Sequence, residues 1–166
     1  MAYNIRNAEE RDFMDIAKLA GECKPMSTER NSIYHIFTKF FSETSLILEQ
    51  EKDGKICGFL LGIISQNDPQ EAYIHLFCLK DELRGRGFAK AIIDKYKEIV
   101  KSKGCKKISL ITKPINKKAI KFYKKMGFQL VSENDKKKVI IDGVSAVRDY
   151  NGAGEHMVIF EYYLYD

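Results

Sequence analysis

The chain has 166 residues, 45% of them apolar, a size at which one hydrophobic core fills one domain and a composition ordinary for a soluble globular protein. Its longest apolar run, Gly58 to Ile64, is far too short for a membrane span, and the charged first turns hold no apolar stretch of the secretory-leader kind, so a soluble, cytoplasmic protein is expected. The formal charge of +5 is carried by lysines on predicted helix faces without stacking aromatics between them, the pattern of solvated surface and not of a nucleic-acid-binding groove.

Tyr3 to Arg6 reads as a short strand, and Phe13, Ile16, Ala17, Leu19 and Ala20 have the spacing of an amphipathic helix. The Cys23-Lys24-Pro25-Met26-Ser27 break separates it from a second helix around Arg30 to Phe41. Ser45 to Glu49 and Lys55 to Ser65 read as strands joined through Asp53-Gly54, an antiparallel hairpin. A third strand runs from about Tyr73 to Leu79. From Gly87 to Lys103 the apolar Phe88, Ile92, Tyr96, Ile99 and Val100 make one helical face and Lys90, Asp94, Lys97, Glu98 and Lys101 the other, with Gly104 as the stop. Ile108 to Ile111 is a short strand, Asn116 caps a helix that ends at Met126, and Phe128 to Glu133 and Met157 to Leu164 read as closing strands.

The order strand, turn, helix, strand, helix in the second half predicts parallel strands around the helix at 87–103. The fold class is therefore α/β: a mixed, partly antiparallel central sheet flanked by helices, whose parallel strands splay where they meet the antiparallel half and admit a ligand. Cys23, Cys57, Cys78 and Cys105 lack the C-x-x-C spacing of a zinc or thioredoxin-like centre. Free, buried or half-buried thiols in a reducing compartment are expected, and no metal site.

The segment Leu83-Arg84-Gly85-Arg86-Gly87-Phe88-Ala89-Lys90 carries the chemistry. Two glycines where a strand turns into a helix leave backbone N–H groups bare at the positive end of the helix dipole, a phosphate site to which Arg84, Arg86 and Lys90 add charge. A P-loop needs Gly-Lys followed by Ser or Thr, which is absent. A dinucleotide fingerprint would put a third glycine at Lys90 and an acidic residue near Ile111-Thr112-Lys113-Pro114, and neither is there.

Arg84, Gly87 and Ala89 instead match the R/Q-x-x-G-x-G/A turn of the GNAT N-acetyltransferase superfamily. Asn116, followed by Ala119, Phe122, Tyr123, Gly127 and Phe128, is similar to that family's A-x-x-F-Y-x-x-x-G-F signature at the right distance. The two motifs in order make the resemblance, which covers Tyr73 to about Val131. It implies a single acetyltransferase domain over residues 1–166 that uses acetyl-CoA as co-substrate. The pyrophosphate would lie on the amides of Arg84, Gly85, Arg86, Gly87, Phe88 and Ala89, close to Lys90. The pantetheine would run along Phe77, Cys78 and Leu79, whose backbone also polarises the thioester carbonyl, and Asn116 would touch the cofactor.

The resemblance further implies that Tyr123, also at the cofactor, protonates the departing thiolate; a free phenol with a pKa of about 10 is close in acidity to an alkyl thiol. His75 occupies a position where some family members carry the base that deprotonates the amine. A hydrogen-bonded strand residue is the competing reading of His75, and Glu71, Asp142, Glu155 and His156 are alternatives for the base. A covalent acetyl-Cys78 is disfavoured, because a regular strand would point His75 and Cys78 to opposite faces, so direct transfer in a ternary complex is expected. The acceptor is expected to be a small-molecule amine, with a protein lysine or amino terminus as the alternative and an acyl-CoA-binding sensor as the non-enzyme alternative. Asp135 to Gly154 is longer than a minimal connection and is a candidate acceptor-side lid or homodimer contact.

Overall fold

β1 (Tyr3–Asn7), β2 (Leu46–Gln50), β3 (Ile56–Ile64) and β4 (Glu71–Leu79) pair in that order, each antiparallel to the next, in a computed structural model that describes residues 2–165. The turn from β2 to β3 closes because the Asp53 carboxylate accepts from the Lys55 N–H at 3.0 Å. β3 is buried from Ile56 through Gly62, which is why it runs apolar without alternating: a layer covers each face.

On one face lie α1 (Phe13–Ala20) and α2 (Asn31–Phe40), whose Ile16, Leu19, Tyr34 and Phe37 share a core with Ile47, Phe59, Leu61, Leu76 and Cys78. On the other lies α3 (Phe88–Ser102). Adjacent strand residues point to opposite faces; Leu61 belongs to the α1–α2 core, while a Cβ on Gly62 would meet the Tyr96 phenol oxygen of α3 at 2.5 Å. Glycine is therefore required at position 62 by the close approach of α3.

β3 and β4 shift register at this point. Leu61 pairs with Leu76 and Gly62 with Ile74, leaving His75 as the extra residue of a β-bulge. The bulge reverses the alternation along β4, so that two chain neighbours face the same helices. Leu76 enters the α1–α2 core, and the His75 ring stacks on Phe37 of α2 at 5.2 Å with planes 1° apart. The Tyr96 hydroxyl donates to the Tyr73 carbonyl at 2.8 Å, fastening α3 to the strand just before the bulge. The regular-strand expectation that His75 and Cys78 face opposite ways thus fails: Cys78 lies in the same α1–α2 core that His75 stacks upon.

The chain divides into two compact units, Met1–Cys105 and Lys106–Asp166. In the second, β5 (Lys107–Thr112) and β6 (Gln129–Leu130) both pair antiparallel with β9 (Val158–Tyr163), and α4 (Lys117–Lys125) joins β5 to β6. β7 (Lys138–Ile141) and β8 (Val144–Val147) form a separate antiparallel hairpin. Its turn residues Asp142 and Gly143 have φ of 48° and 79°, the pair of left-handed residues that an Asp-Gly hairpin turn requires. The 135–154 stretch, longer than a minimal connection, therefore has secondary structure of its own. The strand expected from Phe128 to Glu133 shrinks to two residues because Val131 turns helical and Ser132–Asn134 coils into a 3-10 turn, held by the Ser132 hydroxyl donating to the Ser145 carbonyl at 2.8 Å. The α/β class read from the sequence, a mixed sheet with helices on it, is the class observed.

Candidate active site

β4 runs out at Leu79 and the chain turns twice before α3. Asp81–Leu83 forms a 3-10 turn anchored by the buried Leu83, then Gly85 and Gly87 take φ of 75° and 86°, conformations that cost an L residue about 1–2 kcal/mol. A Cβ on either glycine would have no neighbouring atom within 4 Å, so the turn opens outward. The N–H groups of Gly85, Arg86 and Gly87 find no acceptor among the described residues, and those of Phe88, Ala89 and Lys90 belong to the first turn of α3, whose ladder begins with Ala91 donating to Gly87. Consecutive bare donors at the positive end of a 15-residue helix make an anion cradle.

The three cations around it have surface partners. Arg84 pairs with Asp81 at 3.1 Å, Lys90 pairs with Asp94, and the Arg86 guanidinium lies 5.8 Å from the Tyr3 ring and 5.3 Å from that of Phe88. Exposed ion pairs are worth about 1 kcal/mol or less. Arg84 and Lys90 are therefore held loosely beside the cradle and are available to a phosphate.

The strand leading into the turn pairs Phe77, Cys78 and Leu79 with Leu60, Phe59 and Gly58 of β3. Here the expectation of four free thiols fails. Cys78 is joined to Cys23 of the α1–α2 loop by a disulfide, with Cα atoms 5.9 Å apart, inside the range that a bridge requires. The pairing depends on where the fold brings two residues 55 apart in sequence, which spacing along the chain does not show. Cys57 and Cys105 are free and buried, and burial pushes both thiols up from their ordinary range. With its sulfur in a disulfide, Cys78 has no thiolate to attack a thioester.

His75 on the bulge holds its Nε2 3.0 Å from Oε1 of Glu29, and the two side chains keep 27% and 29% of their surface exposed. Glu29 lies in the α1–α2 loop, where its backbone N–H donates to the hydroxyl of the buried Tyr34 at 2.8 Å. Sequence reasoning singled out His75 but missed Glu29, because only the fold brings them together. Close by is a cavity of about 400 Å³ lined by Phe41, Ile63, Ser65, Gln66, Glu71 and Tyr73. Phe41 packs edge-on against Phe37 at 5.4 Å and the Tyr73 ring is 6.1 Å from His75, so the cavity and the His75 cluster adjoin.

In the second unit Asn116 caps α4 as expected, its Oδ1 accepting from the Ala119 N–H at 3.4 Å. Tyr123 is buried among the rings of Phe122, Phe128 and Phe160, at 5.3, 5.4 and 5.9 Å. Of the alternative bases, Glu71 borders the cavity already described. Asp142 sits in the β7–β8 turn, its carbonyl accepting from Lys117 Nζ at 2.8 Å. Glu155 is exposed, and His156 Nδ1 accepts from the Asp149 N–H at 2.9 Å, which ties that ring to its own loop. Among the described residues no group of three or more His, Cys, Asp or Glu side chains is placed to hold a metal ion, and no helix is long and apolar enough to cross a membrane.

Residues 5–128 match the Acetyltransferase (GNAT) family, and the chain belongs to that family. The enzyme class read from the glycine turn and the α4 motif, an acyltransferase with acetyl-CoA as co-substrate, is the class of that family. A curated relative, the L-2,4-diaminobutyric acid acetyltransferase of Wolinella succinogenes, is 27% identical over 94 residues, which are 57% of this chain and 53% of that protein, so the chain spans about half of that relative's length. Among solved structures, the diaminobutyrate acetyltransferase EctA from Paenibacillus lautus, in complex with L-2,4-diaminobutyric acid and coenzyme A, is similar with a TM-score of 0.71 at 18% identity, over 99% of this chain and 98% of that one. The NatC complex bound to Gag peptide and CoA contains a chain similar with a TM-score of 0.77 at 20% identity, over 99% and 100% of the two chains. At these identities the structural likeness is one of fold.

Proposed function

We propose that this chain is a single acetyltransferase domain that moves the acetyl group of acetyl-CoA directly to a primary amine of a small molecule. The observation that carries the reading is the cradle at Gly85 to Lys90, whose bare N–H groups and open glycines suit a pyrophosphate. Phe77 to Leu79 lead into it and supply the strand along which a pantetheine arm would lie, and Asn116 at the start of α4 contacts the cofactor.

His75 takes a proton from the ammonium form of the acceptor. The neutral amine then attacks the thioester carbonyl, forming the C–N bond as the C–S bond breaks, and the newly acylated nitrogen gives its second proton to solvent, as does the protonated His75 after turnover. Tyr123 gives its phenolic proton to the departing thiolate and recovers one from solvent. The disulfide at Cys78 supports direct transfer over an acetyl-cysteine intermediate.

A small acceptor is supported by the cavity beside His75, about 400 Å³ in volume, and by the diaminobutyrate acetyltransferases among the proteins that this chain is similar to. A second reading, acetylation of a protein amino terminus, is suggested by the fold likeness to a chain of the NatC complex, which is bound to a peptide. Thiol release from acetyl-CoA separates them. Small amines, with 2,4-diaminobutyrate first among them, are expected to drive release, and peptides with free amino termini are not. Release with peptides alone would establish the second reading, and acetyl-CoA binding without release by any amine would leave a sensor.

A further inference from the structure

We propose that Glu29 is a positioning residue for His75, fixing the imidazole in the tautomer that leaves Nδ1 as its proton acceptor. The inference rests on the reading of His75 as the base for the amine. An ionised carboxylate has no hydrogen to give. The 3.0 Å contact between His75 Nε2 and Glu29 Oε1 therefore requires the proton to sit on Nε2, which makes Nδ1 the nitrogen with a free lone pair. Nδ1 has no hydrogen-bond partner among the described residues, so its lone pair is not spent on the protein.

The ring is held on every side that matters for such a role. Phe37 fixes its plane by stacking at 5.2 Å and 1°. The bulge sets where the ring leaves the strand, and a second layer of contacts sets where Glu29 stands. The Glu29 N–H donates to Tyr34, a side chain 1% exposed, and the same loop is fastened to β4 by the Cys23–Cys78 disulfide. The α1–α2 loop is thus tied to β4 at two points, one covalent and one through the imidazole. The arrangement has the logic of a carboxylate that orients a catalytic imidazole, with the two ring nitrogens exchanged relative to the serine-protease triad.

Two measurements test this. Long-range ¹H–¹⁵N NMR of the imidazole nitrogens, at about pH 8.5 where a free imidazole with a pKa of about 6.5 is neutral, is expected to show His75 protonated at Nε2 and bare at Nδ1. In Glu29→Ala, which removes the partner, both tautomers are expected. A wild-type protein with the proton on Nδ1, or an unchanged tautomer in Glu29→Ala, would overturn the proposal.

Kinetically, Glu29→Gln keeps the shape and removes the charge. It is expected to lower kcat about ten- to a hundredfold, a fraction of what a positioned base contributes, with KM for acetyl-CoA unchanged. Glu29→Asp should recover part of the rate. If His75→Gln is slow but Glu29→Gln keeps the full rate, the positioning role is wrong and the base stands. If His75→Gln itself keeps the full rate, the base lies elsewhere and both fall.

Discussion

Tyr96 of α3 reaches across to β4 and donates its hydroxyl to the Tyr73 carbonyl at 2.8 Å, passing so close to Gly62 that a Cβ there would lie 2.5 Å from the same oxygen. The phenol is buried and its pKa is driven far above the ordinary tyrosine range by desolvation, so it acts as a neutral donor that holds α3 against the bulged strand. Gly62→Ala is expected to destabilise the fold by about 1–3 kcal/mol through overpacking, because the clash also involves the Thr44 carbonyl at 2.7 Å, which is backbone and cannot swing away. Tyr96→Phe should cost about 1 kcal/mol by removing the hydrogen bond to the Tyr73 carbonyl. Urea denaturation of the two variants checks both.

The Cys23–Cys78 bridge predicts a labelling pattern. Unfolded without reductant, the protein should alkylate at Cys57 and Cys105 only, and at all four cysteines after reduction. In the folded protein Cys57 and Cys105 should react slowly near pH 8. Burial raises both thiols, so less thiolate is present than on a free cysteine, and the rate should climb with pH. Peptide mapping of the adducts reads this directly, and labelling of Cys23 or Cys78 without reductant would contradict it. With the partners 55 apart in sequence, the chain-entropy account puts the stability lost in Cys23→Ser at about 4 kcal/mol.

Tyr123→Phe removes only the hydroxyl from a side chain packed against Phe122, Phe128 and Phe160, so the fold should be kept. Steady-state thiol release is expected to fall about ten- to a hundredfold in kcat, with the KM for acetyl-CoA nearly unchanged. An undiminished rate would remove its role as the acid.

Much of this was legible in the sequence, and the parts that were not share a cause. Helices and strands with a clear period, such as Phe88 to Ser102, fall within two residues of where the pattern puts them, because their apolar faces are local information. The β7–β8 hairpin was also legible in principle: Asp142-Gly143 between Val139-Ile140-Ile141 and Val144 is an Asp-Gly hairpin signal. The bulge at His75 was not, since it lies in the register with β3, a property of another element. The Cys23–Cys78 bridge and the Glu29–His75 contact are likewise tertiary. They overturned one chemical expectation, that Cys78 is a free thiol, and one geometric expectation, that it faces away from His75.

The central claim, that the turn from Arg84 to Ala89 holds the phosphates of acetyl-CoA, is tested most directly by calorimetric titration of acetyl-CoA into the wild-type protein and Gly87→Glu. Gly87 has φ of 86° with open space around it, so the new side chain brings a carboxylate to the cradle with only modest backbone strain. Affinity is expected to fall roughly a hundredfold or more, the ~3 kcal/mol lost when charge-assisted phosphate contacts give way to repulsion. A variant that remains folded by circular dichroism and binds acetyl-CoA as tightly as the wild type would contradict the account.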